Sequence, residues 1–397
     1  MAQSAHPAIP YSVVREANAA AVPWTVWCGL VGIASIVIGL YWDVSWHMSI
    51  GRDTFWTPAH LLIQFGGILI GAMSAYLIFS ITFGQDAAAK AAGVGVWGFR
   101  GPLGAFLACW GGVTMVTSAP FDNWWHNAFG LDVEIVSPPH MVLALGIMAV
   151  EIGALLMTAS AMNRAEGEAR ARLRWIFLLM GGLMLSLHAL LLTDYTTASE
   201  MHSTTFYIAT AIAIPIYLVA IARASGYKWG ATAVAFVYTA FALVQLWGLP
   251  LFPATPKLGP VFTNVTHMVP LNFPMLLIVP AIAIDLILNH WGGAKLVGEK
   301  RWVLAARVGI VYVALMLAVH WKFAEFMLTP AARNWIFGQG YFPYAFPPSD
   351  YHFQWEFSDA LHTGREFCRW IGCATLVAIF TSRVGLAAGD GMEKLRR

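Results

Sequence analysis

Residues 57–82 read TPAHLLIQFGGILIGAMSAYLIFSIT. The run holds no Asp, Glu, Lys or Arg, and it is longer than the ~20 apolar residues that cross a bilayer as a helix. It also announces its own start. Thr57 suits an N-cap and Pro58 suits the first helical position, where the missing N–H is no loss. This reading predicts a membrane span with His60 as the third residue of its helix.

The rest of the chain repeats the pattern. Further runs at 23–45, 101–121, 138–162, 173–193, 203–222, 229–249, 268–289, 302–323 and 367–387 predict ten spans in all. Of the 397 residues 58% are hydrophobic and only 11% charged, against about 25% charged in a soluble domain. Mean hydropathy is +0.64. The expected fold is an all-α polytopic integral membrane protein, with about ten transmembrane helices arranged as five hairpins and lipid around them. The net charge of +2 comes with no basic run and no RNA-binding signature, so nucleic acid is not an expected partner.

Basic residues predict the orientation. Lys90, Arg100, Arg164, Arg170, Arg172, Arg174, Arg223, Lys228, Lys295, Lys300 and Arg301 fall in even-numbered connections, and Arg15, Lys394, Arg396 and Arg397 on the same side. The odd connections hold only Arg52, Lys257, Arg333 and Arg365, with Lys322 and Arg369 at span ends. Both termini are therefore expected in the cytoplasm, and the odd connections outside it, in the periplasm of a bacterial inner membrane. The first 22 residues are too polar for a signal peptide and read as a cytoplasmic lead. Residues 23–162 form a double-hairpin region, 163–323 further spans, 324–366 an aromatic, proline-rich outer cap, and 367–397 the last span with a cytoplasmic tail.

Two odd connections carry the same polar pattern. Asp43, His47, Asp53 and His60 recur as Asp122, His126, Asp132 and His140. In each set a His follows the first Asp by four residues, which places both on one helical face. A second Asp follows that His by six. A second His stands third in the next helix, after Thr57-Pro58 or Ser137-Pro138. Two imidazoles and a carboxylate make a three-donor set for zinc, copper or non-haem iron. Asp53 and Asp132 are candidate fourth ligands, or groups that orient an imidazole from behind. Ionisable groups at membrane depth are costly when unpaired, and a divalent cation would offset that cost. Proton relay or ion translocation by the same residues is the competing reading.

The stretch DVSWHMSIGRDTFWTPAH, residues 43–60, resembles the signature of the C subunit of copper-dependent membrane monooxygenases, the particulate methane and ammonia monooxygenases. Asp43, His47, Arg52, Asp53, Thr54, Thr57, Pro58 and His60 match in type and spacing, with Ala59 where the family has Ser. Asp122, His126 and His140 have the spacing of a second family set, with Asp in place of Asn. The match is local to the two motif hairpins. The resemblance implies copper at Asp43, His47 and His60 and at Asp122, His126 and His140. It further implies oxidation of a small apolar substrate, and partner subunits that include a separate electron donor. An outward-facing copper or zinc handling protein and a proton- or ion-coupled transporter are the alternatives.

Other polar residues also gather toward the odd connections: His188, Asp194, Glu200, His202, His267, His320, His352 and His362. Among these His188 and His202 are the best additional ligand candidates. Glu151 and Asp285 lie within spans and read as helix-packing hydrogen bonders or proton-path groups. Trp42, Trp46, Trp56, Trp124 and Trp125 read as an interfacial aromatic belt or as an apolar wall beside the metal. Cys28 and Cys109 read as core thiols, and Cys368 and Cys373 are poorly spaced for pairing.

Overall fold

A computed structural model describes residues 22–51, 56–130, 137–257, 265–293, 298–327, 329–338 and 364–396. Ten helices organise it: α1 (Trp24–Ser49), α2 (Pro58–Phe83), α3 (Leu103–Phe129), α4 (Pro138–Arg164), α5 (Gly167–Leu191), α6 (Thr204–Ser225), α7 (Gly230–Gly248), α8 (Ile278–Trp291), α9 (Glu299–Met327) and α10 (Gly364–Lys394). Among the described residues nine are long and apolar enough to cross a membrane, and α8, with 14 residues, is shorter. The chain is a multi-pass, helical membrane protein.

Small residues set how the first four helices meet. α1 packs on α2, α2 on α3, and α3 on α4. A Cβ at Gly66 would stand 2.5 Å from the Gly32 carbonyl oxygen, and one at Gly153 would stand 2.5 Å from that of Gly104. The backbones are therefore in direct contact, as small residues permit between membrane helices. Gly71 faces Gly112 and Gly67 faces Met115 across α2 and α3. That antiparallel register brings the start of α2 level with the end of α3. Both motifs thus lie at one end of the bundle, the motif end, with His60 level with Asp122.

Helix α5 is the most buried of the nine long apolar helices among the described residues. Phe177, Phe206, Tyr207 and Tyr312 are among the largest side chains in the core around it. At the far end Asp390 of α10 pairs with Arg223 of α6 at 2.8 Å and Arg301 of α9 at 2.7 Å. Arg223 also donates to the Gly292 carbonyl that follows α8. Asp285 of α8 caps α7, accepting from Ala231 N at 3.0 Å, Thr232 N at 2.8 Å and Thr232 Oγ1 at 2.7 Å. It is the helix-packing hydrogen bonder its position suggested.

Three features depart from the sequence reading. First, the expected span 268–289 is helical only from Ile278. Pro270 and Pro274 withhold two N–H groups, and the segment before α8 runs irregularly inside the protein. Such backbone is tolerated at membrane depth only where protein groups satisfy it. Here Val269 N donates to Ser49 Oγ at 2.7 Å, and Ser45 Oγ donates to Val269 O at 2.6 Å. Met275 N donates to Tyr238 OH at 2.9 Å and Leu276 N to His320 Nε2 at 3.0 Å. Second, the all-α expectation misses a small ribbon between α2 and α3. Strand β1 (Val94–Val96) pairs antiparallel with β2 (Phe99–Gly101). The turn residues Trp97 and Gly98 have φ of 49° and 87°, the positive pair a tight two-residue hairpin requires. Third, α1 and α3 run on past the expected ends at 45 and 121, so both motif starts are helical.

Candidate metal centres

The first centre is built by the end of α1 and the start of α2. Asp43 and His47 stand one turn apart on α1. Thr57 caps α2 as expected, its hydroxyl accepting from His60 N at 3.1 Å. That bond fixes the backbone of the residue that carries the third donor. His47 Nε2 lies 3.6 Å from Asp43 Oδ2, and His60 Nε2 lies 3.1 Å from Asp43 Oδ1.

The second centre repeats this on α3 and α4. His126 Nε2 and His140 Nε2 each lie 3.5 Å from Asp122 Oδ1. In each centre the three donor atoms lie within 4.8 Å of one another. Two ligands bound tetrahedrally at about 2.1 Å are separated by about 3.4 Å, so the carboxylate–imidazole spacings suit one shared ion.

The hydrogen bonding of the two carboxylates is what a metal ion would complete. Asp43 Oδ1 and Asp122 Oδ1 are buried and accept no hydrogen bond, although imidazole nitrogens stand nearby. A buried carboxylate oxygen without a donor is costly. In the second centre His126 Nδ1 meets the Gly130 carbonyl at 3.2 Å. A carbonyl only accepts, so Nδ1 carries the proton and Nε2 is turned to Asp122. An imidazole held from behind in this way is a common device of metal sites. The donor set therefore fits a transition-metal ion in both places, on the ground of the orphaned oxygens rather than of composition.

The structure brings together Asp43, His47 and His60, and separately Asp122, His126 and His140. Asp53 and Asp132 lie outside the described residues, as do His352 and His362. The expected cap at Ser137 is not made. Ser137 holds the cap position, but its hydroxyl is buried and without a partner. Pro138 and Pro139 leave His140 N as the first N–H of that helix.

His188 and His202, the additional ligand candidates, join neither centre. His188 Nδ1 meets Met184 O at 2.8 Å and its Nε2 meets Tyr217 OH at 2.6 Å, so both nitrogens are engaged. His202 Nε2 meets Trp321 O at 3.1 Å. His320 holds Met316 O and Leu276 N, and His267 lies beside Thr266 Oγ1 at 3.0 Å. These histidines fasten helices and loops. All four cysteines are free.

One detail sharpens the sequence reading and another escaped it. Trp46 and Trp125 each precede the first His of a motif, and each has a buried indole Nε1 without a partner. The repeat is therefore Asp-x-x-Trp-His, a signal visible in the sequence once the tryptophans are counted with the motif. Around Trp125 pack the rings of Phe121, Trp124 and Phe129, the last two largely exposed. Gln64 stands one turn deeper than His60 on α2, and its Oε1 is also buried without a partner. Comparison with protein-family profiles, curated proteins and solved structures gave no match.

Proposed function

We propose that this chain is a copper-binding membrane protein with two Asp/His centres, working as a monooxygenase-type oxidoreductase or as a subunit of one. The observation that carries the metal reading is the pair of buried carboxylate oxygens, Asp43 Oδ1 and Asp122 Oδ1, each beside imidazole Nε2 atoms and accepting no hydrogen bond. The residues that would hold the ions are Asp43, His47 and His60, and Asp122, His126 and His140. Imidazole and carboxylate donors suit copper, with zinc and iron as competitors. Copper, when bound, supplies one-electron redox chemistry with dioxygen.

The chain's own residues would do the rest. Asp43 and Asp122 hold the charge of the ion, and the Gly130 carbonyl keeps His126 in one tautomer. Phe121, Trp124, Trp125 and Phe129 form an aromatic cluster on the helix that carries Asp122 and His126, apolar surface suited to a small, poorly polar substrate. A separate subunit would deliver electrons. In this reading the motif end faces the periplasm and both termini face the cytoplasm of a bacterial inner membrane.

The test is oxygen-dependent product formation from a short alkane, an alkene and ammonia, in membranes carrying the copper-loaded chain and an added reductant. Turnover lost in His60→Ala and His140→Ala is the expected result. A copper-loaded, folded chain with its partners present and no oxidation of any of the three would sink the oxidoreductase reading.

One observation favours a second reading, ion-coupled transport. The non-helical stretch ahead of α8 sits inside an apolar run, and interrupted helices are where transporters place their sites. Metal or proton flux into proteoliposomes, abolished by Asp43→Asn, would favour it.

A further inference from the structure

Arg307 and Arg383 stand inside the apolar stretches of α9 and α10. The two helices touch through their backbones at Gly309, where a Cβ would stand 2.5 Å from Ile379 N. Arg307 is two residues from that contact and Arg383 four, both toward the far end, so they are level to within about 3 Å. Arg307 shares an exposed stripe of α9 with Val303 and Ile310, and half-buried Arg383 continues the stripe of Leu376 and Phe380 on α10. Both stripes lie on the outside of the bundle, where lipid is. An unpaired charge on such a surface is costly, and a long side chain lowers the cost by reaching toward the interface.

Each arginine reaches a tryptophan near the far end. The Arg307 guanidinium carbon is 4.4 Å from the ring centre of Trp291, at the end of α8. That of Arg383 is 5.7 Å from the ring centre of Trp302, in the first turn of α9. Both tryptophans are exposed. Stacking occupies the flat face of a guanidinium and leaves its N–H edge free for an acceptor. Among the described residues no acceptor is supplied: Arg383 Nε is buried without a partner, and neither arginine has a hydrogen bond or an ion pair. The acids of this end are committed or remote. Asp390 is held between Arg223 and Arg301, and Asp285 caps α7. Glu299 and Glu393 are exposed at helix ends and pair with neither arginine.

We propose that the lipid face of α8, α9 and α10 binds anionic phospholipid, with Arg307 and Arg383 each donating to a headgroup phosphate. The two positions flank the outer face of α9, one toward α8 and the other toward α10. A guanidinium edge matches two phosphate oxygens, and the bonds are charge-assisted. An anionic headgroup carries the net charge that balances an arginine, whereas a zwitterionic one brings its own cation. Acyl chains lie along Ile310, Leu376 and Phe380, which are exposed. Basic pockets between membrane helices hold acidic lipid headgroups in this manner. The proposal is independent of the copper reading and of which side of the membrane the far end faces.

The test is native mass spectrometry of the full chain, delipidated in mild detergent and then given phosphatidylglycerol or phosphatidylcholine. Two phosphatidylglycerols should survive collisional activation on the wild type, one on Arg307→Gln or on Arg383→Gln, and none on the double variant. Phosphatidylcholine should be lost at the same energy. Lys322→Gln, an exposed change at the motif end, should match the wild type. In nanodiscs phosphatidylglycerol should raise the unfolding temperature of the wild type and not that of the double variant. Equal retention of the two lipids by the wild type would overturn the proposal, whether or not the variants fold. Undiminished retention by a folded double variant would overturn it as well. Stabilisation by inorganic phosphate alone, equal to that by the lipid, would overturn it in favour of a free-anion site. A lipid-free oligomer that the double variant breaks up would overturn it in favour of contact between copies of the chain.

Discussion

The two candidate centres have the same three donor residues on the same helix positions, yet they are braced differently. In the first, each imidazole faces its own oxygen of Asp43, and the backbone of His60 is pinned by the Thr57 cap. In the second, both imidazoles face Asp122 Oδ1, the cap at Ser137 is not made, and His126 is pinned through its Nδ1 by Gly130. The first centre also rests on a distant segment, because Ser45 and Ser49 of α1 interleave with Asp43 and His47 and hold Val269. The comparison teaches that a ligand set is local to a hairpin, while the support that holds it can come from elsewhere in the chain.

Ligand loss separates the two most sharply. His60→Ala should weaken copper at the first centre by more than about 100-fold and leave the second unchanged. His140→Ala should do the reverse. Loss of a group that merely supports a ligand already costs 10–100-fold, roughly. Titration against a competing chelator reads both affinities, and equal weakening of both by one variant would break the picture of independent centres.

The distant brace comes next. Ser49→Ala leaves the Val269 N–H buried and unpaired, at a cost of about 1–3 kcal/mol. Thermal unfolding should show the loss, and copper affinity should fall at the first centre alone. A fall at the second centre instead would show that the segment ahead of α8 does not act through α1.

The caps give the smallest and most direct contrast. Thr57→Ala should cost about 1 kcal/mol, the usual value of an N-cap. Ser137→Ala should lie within about 0.5 kcal/mol of the wild type, because its hydroxyl makes no bond in the fold. Paired denaturation measurements check this, and equal losses would mean that Ser137 does cap α4.

The centres were legible in the sequence because they depend on short-range geometry. Asp43 and His47, four apart on a helix, must share a face. His60 and His140, third in their helices after Thr-Pro and Ser-Pro, must lie at the hairpin mouth. What was not legible depends on partners far along the chain. Residues 268–277 are as apolar as a span, and only Pro270 and Pro274 hint at their irregular path. The groups that satisfy this stretch, Ser45, Ser49, Tyr238 and His320, come from three other helices. His188 and His202 looked like ligand candidates by residue type, but tertiary contacts turn them to Tyr217, Met184 and Trp321. Gln64 went unremarked, and Trp46 and Trp125 entered only as an aromatic belt or apolar wall, because an unpaired buried atom is visible only in three dimensions.

The most direct test of the two-centre account is metal content per chain by plasma mass spectrometry after gentle extraction and copper loading. It should be made on the wild type, Asp43→Ala, Asp122→Ala and the double variant. The account predicts two ions in the wild type, one in each single variant and none in the double. A wild-type chain that holds no stoichiometric copper, zinc or iron would contradict it, and so would the loss of both ions on removal of either aspartate.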